Sequence, residues 1–119
     1  MVNYYGAPEI NVHELSKKIQ SEVDFVLLDV RETWEMNLAG LRDKRLVVAP
    51  MSRLVRGGME ALPGEVWDKN AEIVVVCHHG VRSAEVTAWL IRQGWSNVRS
   101  LAGGIEAYAF SIDPSVGRY

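Results

Sequence analysis

Three short, largely apolar runs place the strongest constraint on how this chain folds. They span residues 25–30, 46–50 and 72–77, and in none of them do apolar and polar residues alternate. A strand has this composition when helices cover both of its faces. Helical patterns follow the first run, over 31–38, and the third run, over 84–93. The alternation predicts an α/β domain with a parallel sheet, right-handed crossovers and helices on both faces.

The segments around these runs carry their own start and stop signals. Asn11 stands three residues before Glu14, a capping-box pattern that predicts a first helix over 12–20. Gly94 suits the left-handed turn that ends a helix after residue 93. The remaining predicted elements are a short edge strand at 8–10, a strand at 98–101, a turn at Gly103-Gly104 and a final helix at 105–110.

Residues 51–70 are the least regular part of the chain. Gly57-Gly58 and Pro63-Gly64 interrupt this segment twice, so we expect short helical turns in a surface excursion. We expect Trp67 to anchor the excursion to the core.

Length, charge and cysteine count narrow the class of protein. A chain of 119 residues can bury a core of its own, so we predict one domain over 1–119, with residues 111–119 as an extended or frayed C-terminal tail. A net charge of −2 without charge blocks argues against nucleic acid and membrane as partners. The single cysteine excludes an internal disulfide and fits a reducing compartment, so we expect a cytoplasmic protein.

That cysteine, Cys77, ends the most apolar predicted strand. In an open parallel sheet, ligands bind at the carboxyl ends of the strands. The loop 78–83 contains a central glycine and leads into a helix, so several backbone N–H groups can converge on one anion. A thiolate is the nucleophilic form of cysteine, and a helix N-terminus together with a guanidinium stabilises it. Arg82 can supply that guanidinium or attract anions to the loop, and Ser83 can cap the helix or donate its hydroxyl to the sulfur.

Two simpler interpretations compete with a reactive thiol. Many free cysteines are small buried hydrophobes without chemistry, but the loop that follows Cys77 argues against that interpretation here. Cys77, His78 and His79 also resemble a metal triplet. Three consecutive residues should point in different directions, and no second cluster completes a tetrahedral set, so we predict no metal. We expect the two histidines to line the rim of the pocket.

Three segments of the chain resemble the rhodanese family of sulfurtransferases in its single-domain form. They are the residues 27–32 (LLDVRE) with Trp34-Glu35, the loop 77–83 (CHHGVRS) and the residues 101–108 (LAGGIEAY). Each of the first and third is moderately specific alone. Together, in this order and at these separations, they form a strong match that covers most of the chain.

The resemblance implies a five-stranded parallel sheet and a catalytic Cys77 that carries a sulfane sulfur as a persulfide. A small sulfur donor such as thiosulfate would load it, and a thiol, cyanide or an acceptor protein would unload it, without a cofactor. Asp29 is implied to support the architecture, and Arg31 to face the pocket; a cap and a solvated surface charge are equally good interpretations of this pair. The implied substrate-binding residues are His78, His79, Gly80, Val81, Arg82, Ser83 and Arg31.

Two other functions remain open at this stage. Related phosphatases place five residues between the cysteine and the arginine, whereas four separate Cys77 from Arg82, so sulfur transfer ranks above phosphatase or arsenate reductase activity. A sulfur-carrier or partner-binding module without turnover is the second alternative. The chain departs from the family pattern in its basic segment 42–45 and in Tyr108, which stands where a tryptophan is common.

Overall fold

Five parallel strands form the centre of the structure. The computed structural model describes Asn3 and residues 5–119. The strands are β1 (Glu9–Ile10), β2 (Val26–Asp29), β3 (Leu46–Val48), β4 (Ile73–Val76) and β5 (Val98–Leu101). Their order in the sheet is β1-β5-β4-β2-β3, and every neighbouring pair is parallel. The predicted five-stranded parallel sheet is therefore confirmed.

Helices cover both faces of this sheet, as the continuous apolar runs predict. The helices are α1 (Val12–Gln20), α2 (Thr33–Met36), α3 (Met51–Gly57), α4 (Val81–Arg92) and α5 (Gly104–Ser111), with 3₁₀ turns at Gly58–Ala61, Gly64–Val66 and Pro114–Val116. Residues of α1 and α5 pack in one core cluster, and residues of α3 and α4 pack in the other. No helix in the described part of the chain is long and apolar enough to span a membrane.

The predicted boundaries hold best where a local signal sets them. α1 has its predicted bounds, and its capping box between Asn11 and Glu14 is formed in both directions. α4 begins at Val81, three residues before the predicted start, because Gly80 adopts a left-handed conformation (φ +96°) as the N-cap. α2 is shorter than the predicted 31–38.

The excursion between β3 and β4 forms short helical turns as expected, but its anchor is not Trp67. That side chain is 46% exposed. The excursion is held through buried Leu54, Leu62 and Val66, and the indole N–H of Trp95 donates to the carbonyl of Val66 at 2.7 Å. Trp95 is fully buried, so its N–H requires a partner, and the excursion supplies it.

The C-terminal segment is folded rather than extended or frayed. Ser111 belongs to α5, and Asp113 caps a 3₁₀ turn that buries Val116. The carbonyl of Val116 accepts a hydrogen bond from the N–H of Gly40 at 3.0 Å. These contacts tie the tail to the connection between α2 and β3.

The strand order creates a crevice in the middle of the sheet. β2 and β4 are neighbours, but the chain leaves them in opposite directions: α2 leads from β2 to β3, and α4 leads from β4 to β5. Ligands of open α/β sheets bind at such a switch point, beyond the carboxyl ends of the strands. The segment after β4 begins with Cys77, and the segment after β2 contains Arg31.

Candidate active site

The sulfur of Cys77 lies at the convergence of several hydrogen-bond donors. The backbone N–H groups of Gly80 and Ser83 donate to Sγ at 3.1 and 3.3 Å. The hydroxyl oxygen of Ser83 is also 3.3 Å from Sγ. Cys77 is only 1% exposed, so the sulfur forms the floor of the site. Two backbone N–H groups therefore point at one buried sulfur atom.

The conformation of Gly80 explains why these donors meet at one point. Its left-handed backbone turns the chain directly from the end of β4 into α4, so only residues 78–80 lie between the cysteine and the helix. The N–H of Ser83 belongs to the first turn of α4 and has no partner within the helix. The partial positive charge at the N-terminus of α4 adds to the stabilisation of an anion at Cys77.

Ser83 contacts the sulfur without capping the helix, and a second serine supports it. The N-cap of α4 is Gly80, no side chain caps that helix, and the Cys77 thiol donates to the hydroxyl oxygen of Ser83. Its N–H and its hydroxyl both contact the sulfur, while its hydroxyl also shares a 2.7 Å hydrogen bond with the hydroxyl of Ser100. Both serines are fully buried. Ser100 lies on β5 and is missing from the sequence prediction, because nothing in the pattern of a short strand distinguishes it.

The Gly103-Gly104 turn holds the other side of the loop. It places the N-terminus of α5 against the end of β4, where the N–H of Ile105 donates to the carbonyl of Cys77 at 2.9 Å and that of Glu106 to the carbonyl of His78 at 3.1 Å. A Cβ atom at Gly104 would overlap the carbonyl of His78. The loop 78–83 therefore rests on a helix end that requires glycine for its close approach.

Arg82 does not contact the sulfur but forms a bidentate ion pair with Glu35. Its Nη1 and Nη2 atoms donate to the two carboxylate oxygens at 2.7 and 2.8 Å. The Arg82 guanidinium, opposed by burial, lowers the pKa of Glu35 to about 2, and the same pair raises the pKa of Arg82 above its ordinary value. Glu35 is a site residue that sequence reasoning missed; its place in the motif of Trp34-Glu35 was the available signal.

Arg31 lies in the interior rather than on the wall of the pocket, contrary to the role implied for it. It is 1% exposed, and its Nε and Nη2 donate to the carboxylate of Asp29 at 3.0 and 2.8 Å. Its Nη1 donates to the carbonyl of Ala39 at 2.9 Å. Asp29 is itself fully buried, and a buried carboxylate requires a counter-charge, which explains why Arg31 turns inward.

Aromatic rings form the rim above the loop. The ring of His78 stacks on His79 with centroids 3.9 Å apart and on Tyr119 with centroids 3.7 Å apart. Burial and the neighbouring His79 lower the pKa of His78. His79 and Val81 are exposed at this rim. Tyr119, which comes from the C-terminal tail, is a second rim residue that the sequence did not indicate.

Comparisons with known proteins identify the family of this chain. The family model "Rhodanese-like domain" matches residues 11–110. The chain belongs to the rhodanese-like family. A sulfurtransferase from Allochromatium vinosum is 32% identical over 85% of this chain and 87% of its own length. The crystal structure of a rhodanese-related protein from Thermoplasma volcanium superimposes with a TM-score of 0.71 at 27% identity, covering 90% of this chain and 95% of that one.

Other rhodanese-like relatives are much longer than this chain. A chloroplastic rhodanese-like/PpiC domain-containing protein of Arabidopsis thaliana is 32% identical over 93% of this chain, which spans 37% of that relative. A tRNA uridine(34) hydroxylase of Streptococcus thermophilus is 36% identical over 78% of this chain and 27% of its own length. This chain therefore corresponds to only part of the length of each of these two relatives.

Proposed function

We propose that this protein is a sulfurtransferase that carries sulfur as a persulfide on Cys77. The observation that carries the proposal is the pair of backbone N–H groups, those of Gly80 and Ser83, that donate to Sγ at the N-terminus of α4. These groups stabilise the attacking thiolate without a dedicated general base. They are equally suited to hold the inner sulfur of a persulfide.

The reaction proceeds in two displacements. The Cys77 thiolate attacks the outer sulfur of a donor such as thiosulfate, the S–S bond of the donor breaks, and sulfite leaves with the electron pair. A thiol or cyanide then attacks the outer sulfur of the persulfide, and the Cys77 thiolate leaves as the second S–S bond breaks. No external oxidant or reductant is needed for the transfer to cyanide.

The depth of the sulfur favours sulfur transfer over phosphoryl transfer. Cys77 is 1% exposed, and four residues separate it from Arg82. A terminal sulfur atom is narrow enough to reach such a floor, whereas a tetrahedral phosphate or arsenate requires a wider ring of donors. Phosphatase and arsenate reductase activity therefore rank lower.

The relatives favour the same choice. The match to the Allochromatium vinosum sulfurtransferase extends over 87% of that protein, while the match to the Streptococcus thermophilus hydroxylase covers 27% of it. A shared domain that forms a quarter of a longer enzyme is weak support for transferring that enzyme's activity. Sulfur transfer is the better-supported activity.

The acceptor must come from outside the chain. Cys77 is the single cysteine of the sequence, so no second thiol can resolve the persulfide as an internal disulfide. This separates the proposed transferase from disulfide oxidoreductases and thiol peroxidases. A lone reactive thiol of this kind works in a reducing compartment such as the cytoplasm.

Donor treatment followed by intact-mass measurement tests the proposal. We expect thiosulfate to add one sulfur to the Cys77 peptide and to release sulfite, and cyanide to remove that sulfur as thiocyanate. Cys77→Ser should abolish both steps, while Ser96→Ala, a surface serine substitution, should leave them unchanged. An unmodified Cys77 with every sulfur donor would refute sulfur transfer.

Two further results would each favour one of the alternative functions. A persulfide that forms but is not removed by cyanide or small thiols would favour a sulfur carrier that serves an acceptor protein. Hydrolysis of an aryl phosphate above the level of Cys77→Ser would favour a phosphatase.

A further inference from the structure

Two histidines and a glutamate bring their ligand atoms together at the rim of the Cys77 loop. Nε2 of His78 is 3.3 Å and Nδ1 of His79 is 3.9 Å from Oε2 of Glu106. All three ligand atoms lie within 4.8 Å of one another. The sequence argued against a metal because consecutive residues should point apart. The histidines follow the end of β4, where alternation stops, so their rings stack and face the same carboxylate.

The sequence does not indicate Glu106 as a third ligand, because this residue lies on α5, far from the histidines along the chain. The Gly103-Gly104 turn brings it close, and its N–H donates to the carbonyl of His78. The same residue therefore fixes the backbone of one ligand and supplies another. Glu106 thus adds a third ligand that the sequence argument did not include.

Two of the three ligand groups, those of His78 and Glu106, are held in place before any cation binds. The ring of His78 is enclosed between those of His79 and Tyr119. Nε of Arg118 donates to Oε1 of Glu106 at 2.7 Å, which leaves Oε2 to face the imidazoles. Pre-positioned ligands of this kind lose little freedom on binding.

One atom of the cluster lacks a partner. Nε2 of His78 is buried and makes no hydrogen bond, since Oε2 of Glu106 is near but not aligned with it. A buried polar atom without a partner is destabilising, and such atoms in native proteins call for a specific explanation, of which a bound ion is one. The lone pair of a neutral imidazole at this position is a natural metal ligand.

We propose that His78, His79 and Glu106 form a binding site for a divalent cation of the zinc type. Imidazole nitrogens and a carboxylate oxygen are ligands for Zn²⁺, and they bind at about 2.0–2.2 Å, so tetrahedral ligand atoms are about 3.3 Å apart. The His78–Glu106 separation has this value. His79 is 48% exposed and needs only a small rotation to close its 3.9 Å separation.

A cation at this site would change the entrance to Cys77. Three protein ligands leave a fourth position open to water, an anion or a thiol. The bound charge would sit on the residue that directly follows Cys77, where it favours anionic molecules at the rim. The site does not depend on sulfur transfer and would exist whether or not Cys77 forms a persulfide.

Titration of the full chain with Zn²⁺ by calorimetry, and with Co²⁺ by visible absorption, tests the site. We expect one ion per chain, with affinity reduced about tenfold or more in Glu106→Gln and in His79→Ala. His13→Ala, which changes the exposed histidine on α1, is the matched control and should bind like the wild type. Urea unfolding of each variant establishes that it is folded.

The Cys77→Ser variant tests whether the thiol is itself a ligand of the cation. Retained stoichiometry in this variant, with a Co²⁺ spectrum free of thiolate charge-transfer bands, is the expected result. Loss of binding in Cys77→Ser, equal binding in Glu106→Gln and wild type, or no binding of either ion would overturn the proposal. None of these outcomes depends on the sulfur-transfer assay.

Discussion

At the scale of single residues, Glu35 determines how charge is arranged beside the Cys77 loop. Its side chain is 5% exposed and accepts hydrogen bonds from Arg82, from the hydroxyl of Tyr119 and from the N–H of Glu32. Arg82 is held by this carboxylate, so its guanidinium remains at the rim instead of collapsing onto the sulfur. Glu35 thus fixes the position of the Arg82 guanidinium.

Replacing Glu35 by glutamine should make the free energy of unfolding depend less on pH in the acid range. The pKa of Glu35 is lowered in the folded state to about 2 from its ordinary value of 4.5. The stabilisation is therefore fully present above that ordinary value and is lost as the pH falls toward about 2. Glu35→Gln should cost about 1–3 kcal/mol in the free energy of unfolding at pH 7 and show a smaller loss over the acid range.

Urea unfolding from neutral to acid pH measures this difference. Subtracting the variant from the wild type removes the contribution of other carboxylates. Glu65→Gln, at an exposed position of the excursion, is the control and should follow the wild-type curve. Parallel curves for wild type and Glu35→Gln would contradict the assignment.

Sequence alone identifies the residues of the site that are adjacent along the chain. Cys77, Gly80 and Ser83 follow one another closely, and the physical roles of a strand end, a left-handed turn and a helix start are readable there. The roles of Glu35 and Tyr119 cannot be predicted from the sequence, because each of them depends on a partner in a distant element. The implied orientation of Arg31 failed for the same reason: its partners, including the carbonyl of Ala39, are set by the packed structure.

At the scale of elements, the N-terminus of α5 supports the loop 78–83 that follows Cys77. Gly104 has a left-handed backbone (φ +66°) and lies against the carbonyls of Cys77 and His78. The helix can approach this closely only because Gly104 has no side chain. The Gly-Gly turn therefore reverses the chain and also allows α5 to pack closely against the loop.

Gly104→Ala should destabilise the fold by about 2–4 kcal/mol, since strain at a positive φ adds to overpacking. Its Cβ would overlap the carbonyl of His78 and lie 2.6 Å from that of Cys77. Gly64→Ala is the matched control, because a Cβ there meets nothing within 4 Å and the backbone is not left-handed. The free energy of unfolding measures both, and equal values for the two variants would disprove that the N-terminus of α5 supports the loop in this way.

The elements themselves were largely predictable from sequence. α1 and β5 have their predicted bounds, because a capping box and a short β-rich run are local signals. The anchor of the excursion was not predictable: Trp67 belongs to the excursion, whereas Trp95 follows α4 and reaches the excursion only in the packed structure, where it is the buried one of the two. Local signals identify elements, while the choice between similar side chains depends on the assembled core.

At the scale of the whole molecule, the C-terminal tail closes on the site from the opposite end of the chain. The hydroxyl of Tyr119 donates to Glu35 at 2.8 Å and accepts from Nη1 of Arg31 at 3.1 Å. One side chain thus joins the tail to the buried Asp29–Arg31 pair and to the rim. The strand order places the segments after β2 and β4 side by side, so that one side chain, Tyr119, can contact both of them.

Tyr119→Phe should cost about 1 kcal/mol in the free energy of unfolding, because it removes both hydrogen bonds of the hydroxyl but keeps the ring on His78. Tyr5→Phe provides a matched comparison: the Tyr5 hydroxyl also bonds a glutamate, Glu85 at 3.1 Å, but on the exposed surface. That substitution should change stability by less than about 0.5 kcal/mol. If urea unfolding gives the same small change for both, the tail is not coupled to the site through this hydroxyl; a larger loss at Tyr119 alone establishes the coupling.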